Sequence, residues 1–116
     1  MTNDKPRQIN AERLWQSLMD MAQIGATLKG GSCRLALTDE DKAGRHLFVR
    51  WCTEAGCSIS VDQMGNIFAR RAVSEPVLPS VVACSHLDTQ PTGGRFDGDL
   101  KSTRLNSSHA LTSHAV

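Results

Sequence analysis

The residues best suited to chemistry lie close together. His86 and Asp88 stand two apart in Ser85-His86-Leu87-Asp88-Thr89, and Asp97 follows within Gly93-Gly94-Arg95-Phe96-Asp97-Gly98. In an extended backbone, residues two apart project to the same side. The Asp88 carboxylate is therefore placed to hold the His86 imidazole in one tautomer and orientation, as the outer partners of metal-bound histidines do. The glycines around Asp97 open backbone angles closed to other residues, and a carboxylate there is suited to bridging two cations. Taken alone, a His-x-Asp triplet is more often a set of loop-capping polar residues than a metal site, so both readings stand at this point.

The elements that must position these residues follow from hydrophobic period. Asn10 is a favourable N-cap, and Leu14, Leu18, Met21 and Ala22 recur at helical spacing, predicting a helix from Ala11 to about Gln23 that stops at Gly25. Residues 24–37 read as a loop, with Gly30 and Gly31 permitting a sharp turn or the close approach of another group. Thr38 opens a second helix. Its hydroxyl is placed to cap the Asp41 amide while Asp41 reaches back, and Asp39, Glu40 and Asp41 suit the positive end of the dipole. Ala43, Leu47, Trp51 and Ala55 form its expected apolar stripe, with Phe48 and Cys52 alongside, and Gly56 ends it.

The period then changes to two. Cys57, Ile59 and Val61 alternate with polar residues, Gly65-Asn66 marks a turn, and Ile67 to Arg71 is the return strand of a hairpin. Arg70 and Arg71 are read as a solvated strand end. Residues 72–80 carry Pro76 and Pro79 and form a loop. Val81 to Cys84 is a short apolar run, predicted to be a buried strand that delivers His86. The order predicts an α/β domain with a mixed sheet, and a single buried strand leaves that sheet incomplete.

Composition narrows the function classes. The chain has 116 residues, a formal net charge of +1 and 40% hydrophobic residues, which predicts one small globular unit. So small a charge excludes charge-driven binding to nucleic acid or anionic membranes. No apolar run reaches the roughly 18 residues of a membrane span, and the N-terminus lacks the apolar segment of a secretory signal, so a cytoplasmic protein is expected. Cys33, Cys52, Cys57 and Cys84 lack zinc-ligand spacing and are expected to be reduced structural thiols.

From Asn10 to Gly98 the sequence resembles the start of the amidohydrolases that cleave N-carbamoyl amino acids, ureidopropionate and allantoate, within the superfamily of dinuclear-metal aminoacylases and carboxypeptidases. The resemblance rests on three stretches: Arg34-Leu35-Ala36-Leu37-Thr38-Asp39-Glu40-Asp41, Asp62 with Gly65-Asn66, and Ser85 to Thr89 leading into Gly93 to Gly98. It implies an incomplete N-terminal part of a metallopeptidase-like catalytic domain over residues 1–98. It also implies that His86 is a metal ligand, that Asp97 bridges two metal ions, and that Asp88 orients His86. Two divalent ions, zinc or manganese, would activate water against a ureido or amide carbonyl of a small-molecule substrate. The resemblance places the general base, the remaining ligands and a dimerisation domain beyond Gly98, so the parent is expected to be a homodimer and the chain itself inactive.

After Gly98 the sequence leaves the family pattern. Residues 99–116 resemble the translation of a sequencing adapter and are expected to be a non-native, disordered tail, which removes His109 and His114 as candidate ligands. Within the resemblance the leading function is hydrolysis of N-carbamoyl amino acids, with allantoate hydrolysis as the alternative. A small non-catalytic binding module that presents its helices is the alternative from another class.

Overall fold

A computed structural model of the chain describes residues 8–72 and 79–97. The expected tail at 99–116, residues 1–7 and most of the loop expected at 72–80 lie outside the described residues. The element order is α1 (Ala11–Gln23), α2 (Asp39–Glu54), β1 (Cys57–Val61) and β2 (Ile67–Arg71). Among the described residues no helix is long and apolar enough to cross a membrane, and the four cysteines are free.

The caps set the helix boundaries. The Asn10 side chain accepts from the Arg13 amide at 2.9 Å, satisfying one of the amides that a helix start leaves unpaired. At the other end the Ile24 amide closes on Met21 O, and Gly25 turns away at φ 77°. A side chain at Gly25 would collide with the Cys33 carbonyl oxygen, which lies 2.3 Å from where its Cβ would sit. For α2, Thr38 Oγ1 accepts from the Asp41 amide at 3.2 Å. The return half of the box falls one residue earlier than expected: the Asp41 carboxylate accepts from the Leu37 amide at 3.1 Å. The reason is that the Thr38 amide is already committed to Leu35 O, at 3.2 Å.

The inward face of α2 is rotated from the expected stripe. Asp41 and Gly44 are buried, Leu47, Phe48, Trp51 and Cys52 are half-buried, and Ala43 and Ala55 are exposed. This face packs on the hairpin, in which β1 and β2 pair antiparallel from Cys57 opposite Arg71 to Val61 opposite Ile67. The turn is organised by Asp62, whose carboxylate accepts from the Met64 amide, the Asn66 amide and the Asn66 side-chain amide at 2.9, 2.8 and 2.8 Å. Gly65 takes φ 84° there, and Arg45 of α2 donates to its carbonyl oxygen.

The α/β character stands, but the expected buried strand at Val81 to Cys84 does not. These residues lie in neither helix nor strand and are exposed, with Val81 at 88%. A strand exists through its ladder of hydrogen bonds, and among the described residues none pairs with this run. Among the described residues the only sheet is the two-stranded hairpin. Apolar surface is likewise uncovered on α1, where Leu14 and Trp15 are 51% and 56% exposed. The sole buried hydrophobic residue among those described is Ala22, whereas Ser32, Arg34, Asp41 and Thr89 are all buried. The tightest packing is therefore polar, at the junction of α1, the 24–34 loop, the start of α2 and the 86–97 segment.

The Asp62 turn gives a pH-dependent prediction. Its hydrogen bonds, led by the Asn66 side chain, hold the carboxyl below the usual aspartate value. A depressed folded-state value means the turn's contribution is complete above the unfolded value and is lost as pH falls through the folded one. The loss of amide-exchange protection at Met64 and Asn66 caused by Asp62→Ala should be large near neutral pH and shrink in acid. A pH-independent difference would show that the ionised carboxylate does not organise the turn.

Candidate metal centre

The 86–97 segment is held from behind by main-chain and side-chain hydrogen bonds to the 24–34 loop. The Ser32 amide donates to Gly93 O at 2.8 Å, and the Thr89 amide donates to Arg34 O at 2.7 Å. The Arg34 amide returns the bond to Thr89 Oγ1 at 2.7 Å, while the Thr89 hydroxyl has Ser32 O at 3.2 Å and Gln90 O at 2.9 Å as acceptors. Isolated bridges pair Ser32 with both Ala26 and Gly93. Glycine is required at this approach, since a Cβ on Gly31 would lie 2.4 Å from Gly93 O. The loop expected from residues 24–37 thus forms the floor beneath the candidate site.

The Arg34 side chain crosses that floor. Its Nε donates to Leu87 O at 2.8 Å, and one terminal nitrogen donates to Met21 O at 3.1 Å and to Ile24 O at 2.8 Å. Met21 and Ile24 lie at the C-terminus of α1, where the dipole favours a cation. Burial pushes the Arg34 pKa down, and Asp41, Asp97 and Asp88 oppose that shift. A guanidinium nevertheless stays charged in proteins. Gly44 of α2 makes room for the stem: a Cβ there would sit 2.9 Å from Arg34 Cδ.

The three residues singled out from the sequence come together on this support. His86 Nδ1 is 2.8 Å from the Asp88 backbone oxygen and 3.2 Å from Asp88 Oδ1. Both neighbours are acceptors, so they favour the tautomer with its proton on Nδ1. That leaves the Nε2 lone pair facing Asp97 Oδ1 across 3.9 Å. The other Asp97 oxygen accepts from the Gln90 amide at 3.2 Å. The backbone contact at Asp88 was not foreseen in the sequence, which pointed to its carboxylate alone.

This donor set fits a divalent ion. Imidazole nitrogen and carboxylate oxygen suit zinc or manganese, and two bonds of roughly 2.0–2.2 Å from one ion would span donors up to about 4.2 Å apart. The set is also partial: among the described residues no group of three or more His, Cys, Asp or Glu side chains converges. His86 and Asp88 side chains are 39% and 44% exposed, so the site opens outward.

Two further contacts escaped the sequence reading. The Phe96 ring, beside Asp97, packs on Trp15 of α1 with centroids 6.0 Å apart and a 40° tilt. The Arg95 Nε donates to Gly30 O at 2.8 Å. Both tie the glycine-framed loop to the N-terminal elements. Arg34 and Thr89 had been read only as parts of motifs, because a charged or hydroxylic residue carries no periodic signal of burial.

No family model matches the sequence. Individual relatives do. An N-carbamoyl-L-amino-acid amidohydrolase from Rhizobium meliloti is 55% identical over 94 residues, covering 81% of this chain and 23% of that protein. One from Geobacillus stearothermophilus is 38% identical over 92 residues, 79% of this chain and 22% of that protein. The crystal structure of a hydantoinase/carbamoylase family amidase from Burkholderia ambifaria superimposes with a TM-score of 0.76 at 58% identity, covering 79% of this chain and 22% of that one. Over these residues the chain is similar to amidases of the hydantoinase/carbamoylase family. The chain spans less than a quarter of the length of the curated relatives it matches.

The buried hydroxyls of this segment make contrasting predictions. Thr89→Val removes the acceptor of the Arg34 amide and should destabilise by about 1–3 kcal/mol, the cost of a buried group left unpaired. The Ser32 hydroxyl is buried without a hydrogen-bond partner among the described residues, so Ser32→Ala should be neutral or stabilising. Chemical denaturation of both variants checks the contrast, and an equal loss for the two would contradict it.

Proposed function

We propose that the parent protein of this segment is a metal-dependent amidohydrolase acting on the carbon–nitrogen bond of an N-carbamoyl amino acid, and that His86 and Asp97 hold metal there. The observation that carries the reading is the pair of electron-rich atoms, His86 Nε2 and Asp97 Oδ1, facing each other at 3.9 Å. A cation between them would turn a repulsive contact into two ligand bonds. The names of the relatives support the substrate class, and the identity of 55% to a carbamoyl-amino-acid hydrolase favours it over the allantoate alternative.

The roles follow from the geometry. His86 offers Nε2 because Asp88, through its carbonyl and carboxylate, occupies the Nδ1 side of the ring. Asp97 offers Oδ1 because its other oxygen is held by the Gln90 amide. Bound zinc or manganese would supply an acidified water and polarise the carbonyl of a ureido substrate. A catalytic zinc site takes three protein ligands, so the two here call for donors from outside the described residues. The binding-module reading has no comparable observation in its favour.

Two outcomes are expected. In the full-length protein, His86→Ala should lower metal content and turnover together, by more than the roughly 10–100-fold typical of losing an outer partner. Retained activity with full metal occupancy would remove His86 from the site. The 116-residue chain alone, supplied with zinc or manganese, should release no ammonia from N-carbamoyl-β-alanine or allantoate above a metal-only control. Turnover there would mean that the ligand count is wrong.

A further inference from the structure

We infer that Arg34 is a positioning residue for the candidate metal centre, fixing the backbone that carries His86 and Asp88 against the end of α1. Leu87 lies between those two residues, and its carbonyl oxygen accepts from Arg34 Nε at 2.8 Å. That bond sets the peptide plane in the middle of the His-x-Asp triplet. The residue that follows the triplet is held as well, since Thr89 exchanges bonds of 2.7 Å with the Arg34 main chain in both directions. One residue thus grips the triplet at its middle and just after its end, through its side chain and through its backbone.

The guanidinium is itself immobilised by Met21 O and Ile24 O, and Arg34 is only 3% exposed. The planar fork presents donors in fixed directions, which an ammonium on a flexible stem does not. The His86 ring depends on this grip because its Nδ1 is bound to the Asp88 carbonyl oxygen. A rotation of the Leu87–Asp88 backbone would release that contact and the tautomer with it. Asp88 and Asp97 also lie within electrostatic reach of Arg34, so its charge balances the carboxylates from behind the site.

The geometric claim stands without a metal, while its consequence for affinity rests on the metal-binding reading above. The test therefore has two readouts in the full-length protein. The first is the nitrogen-15 spectrum of His86 in metal-free protein, which reports the tautomer. The second is manganese affinity by competition with a chelator. Arg34→Lys should shift His86 away from a single Nδ1-protonated form and weaken manganese binding about 10–100-fold. Arg70→Lys, on exposed β2, should change neither.

Should Arg34→Lys fail to fold, Gly44→Ala serves instead. Its added Cβ presses on Arg34 Cδ and touches no residue of the triplet, and the same two changes are expected in smaller measure. An unaltered His86 spectrum in the folded variant overturns the inference, whatever the metal does. An altered spectrum together with wild-type manganese binding by His86→Ala leaves the positioning role standing and removes the metal reading.

Discussion

A buried guanidinium among main-chain carbonyls organises this structure. Removing a charge from water is costly unless hydrogen bonds and opposite charges replace the lost hydration. Arg34 receives both: carbonyl oxygens of Met21, Ile24 and Leu87 accept its protons, and Asp41, Asp88 and Asp97 surround it at longer range. The three acceptors come from two places. Two are carbonyls at the end of α1, and the third lies inside the triplet that carries the candidate site. Satisfying one cation thereby fixes the helix end, the loop and the site relative to one another. Gly44 belongs to the same arrangement, because the Arg34 stem occupies the space a side chain would fill.

Apolar packing plays the smaller part within the described residues. Ala22 alone is a buried hydrophobic residue there, while Leu14, Trp15, Val81 and Phe68 remain exposed to varying degrees. Polar hydrogen bonds are directional, so they place atoms with an accuracy that apolar contacts do not impose. That suits a surface on which His86 and Asp97 must face each other at a defined separation. The Trp15–Phe96 contact adds an apolar tie at the edge of the same loop.

The sequence disclosed whatever depends on local rules. Both helices, their N-caps at Asn10 and Thr38, and the hairpin around Gly65 follow from period and turn chemistry, and they appear where expected. The meeting of His86 with Asp88 was also legible, because alternation in an extended chain is a short-range constraint. Long-range features were not. The buried face of α2 includes Gly44, which lies against Arg34, a residue outside that helix. Val81 to Cys84 has the composition of a strand, but composition supplies no neighbour with which to pair. The closeness of Asp97 to His86 came only through family resemblance, since nothing in residues 89–97 alone dictates the fold of that loop.

The contacts that hold the site have a cost in chain closure. Arg34 meets Leu87 across 53 residues, and Thr89 meets Ser32 across 57. The helices and the hairpin, by contrast, are built from neighbours within a few turns of chain. Closing a loop of that length must be achieved before its contacts reward it, and low-separation elements form sooner. On a ribosome, α1, α2 and the hairpin can all take shape while the 86–97 segment is still being synthesised. In that interval the Arg34 guanidinium can meet Met21 O and Ile24 O, but its Nε has no acceptor in the chain until Leu87 arrives. The last of the arginine's side-chain hydrogen bonds thus closes one of the long loops of this segment.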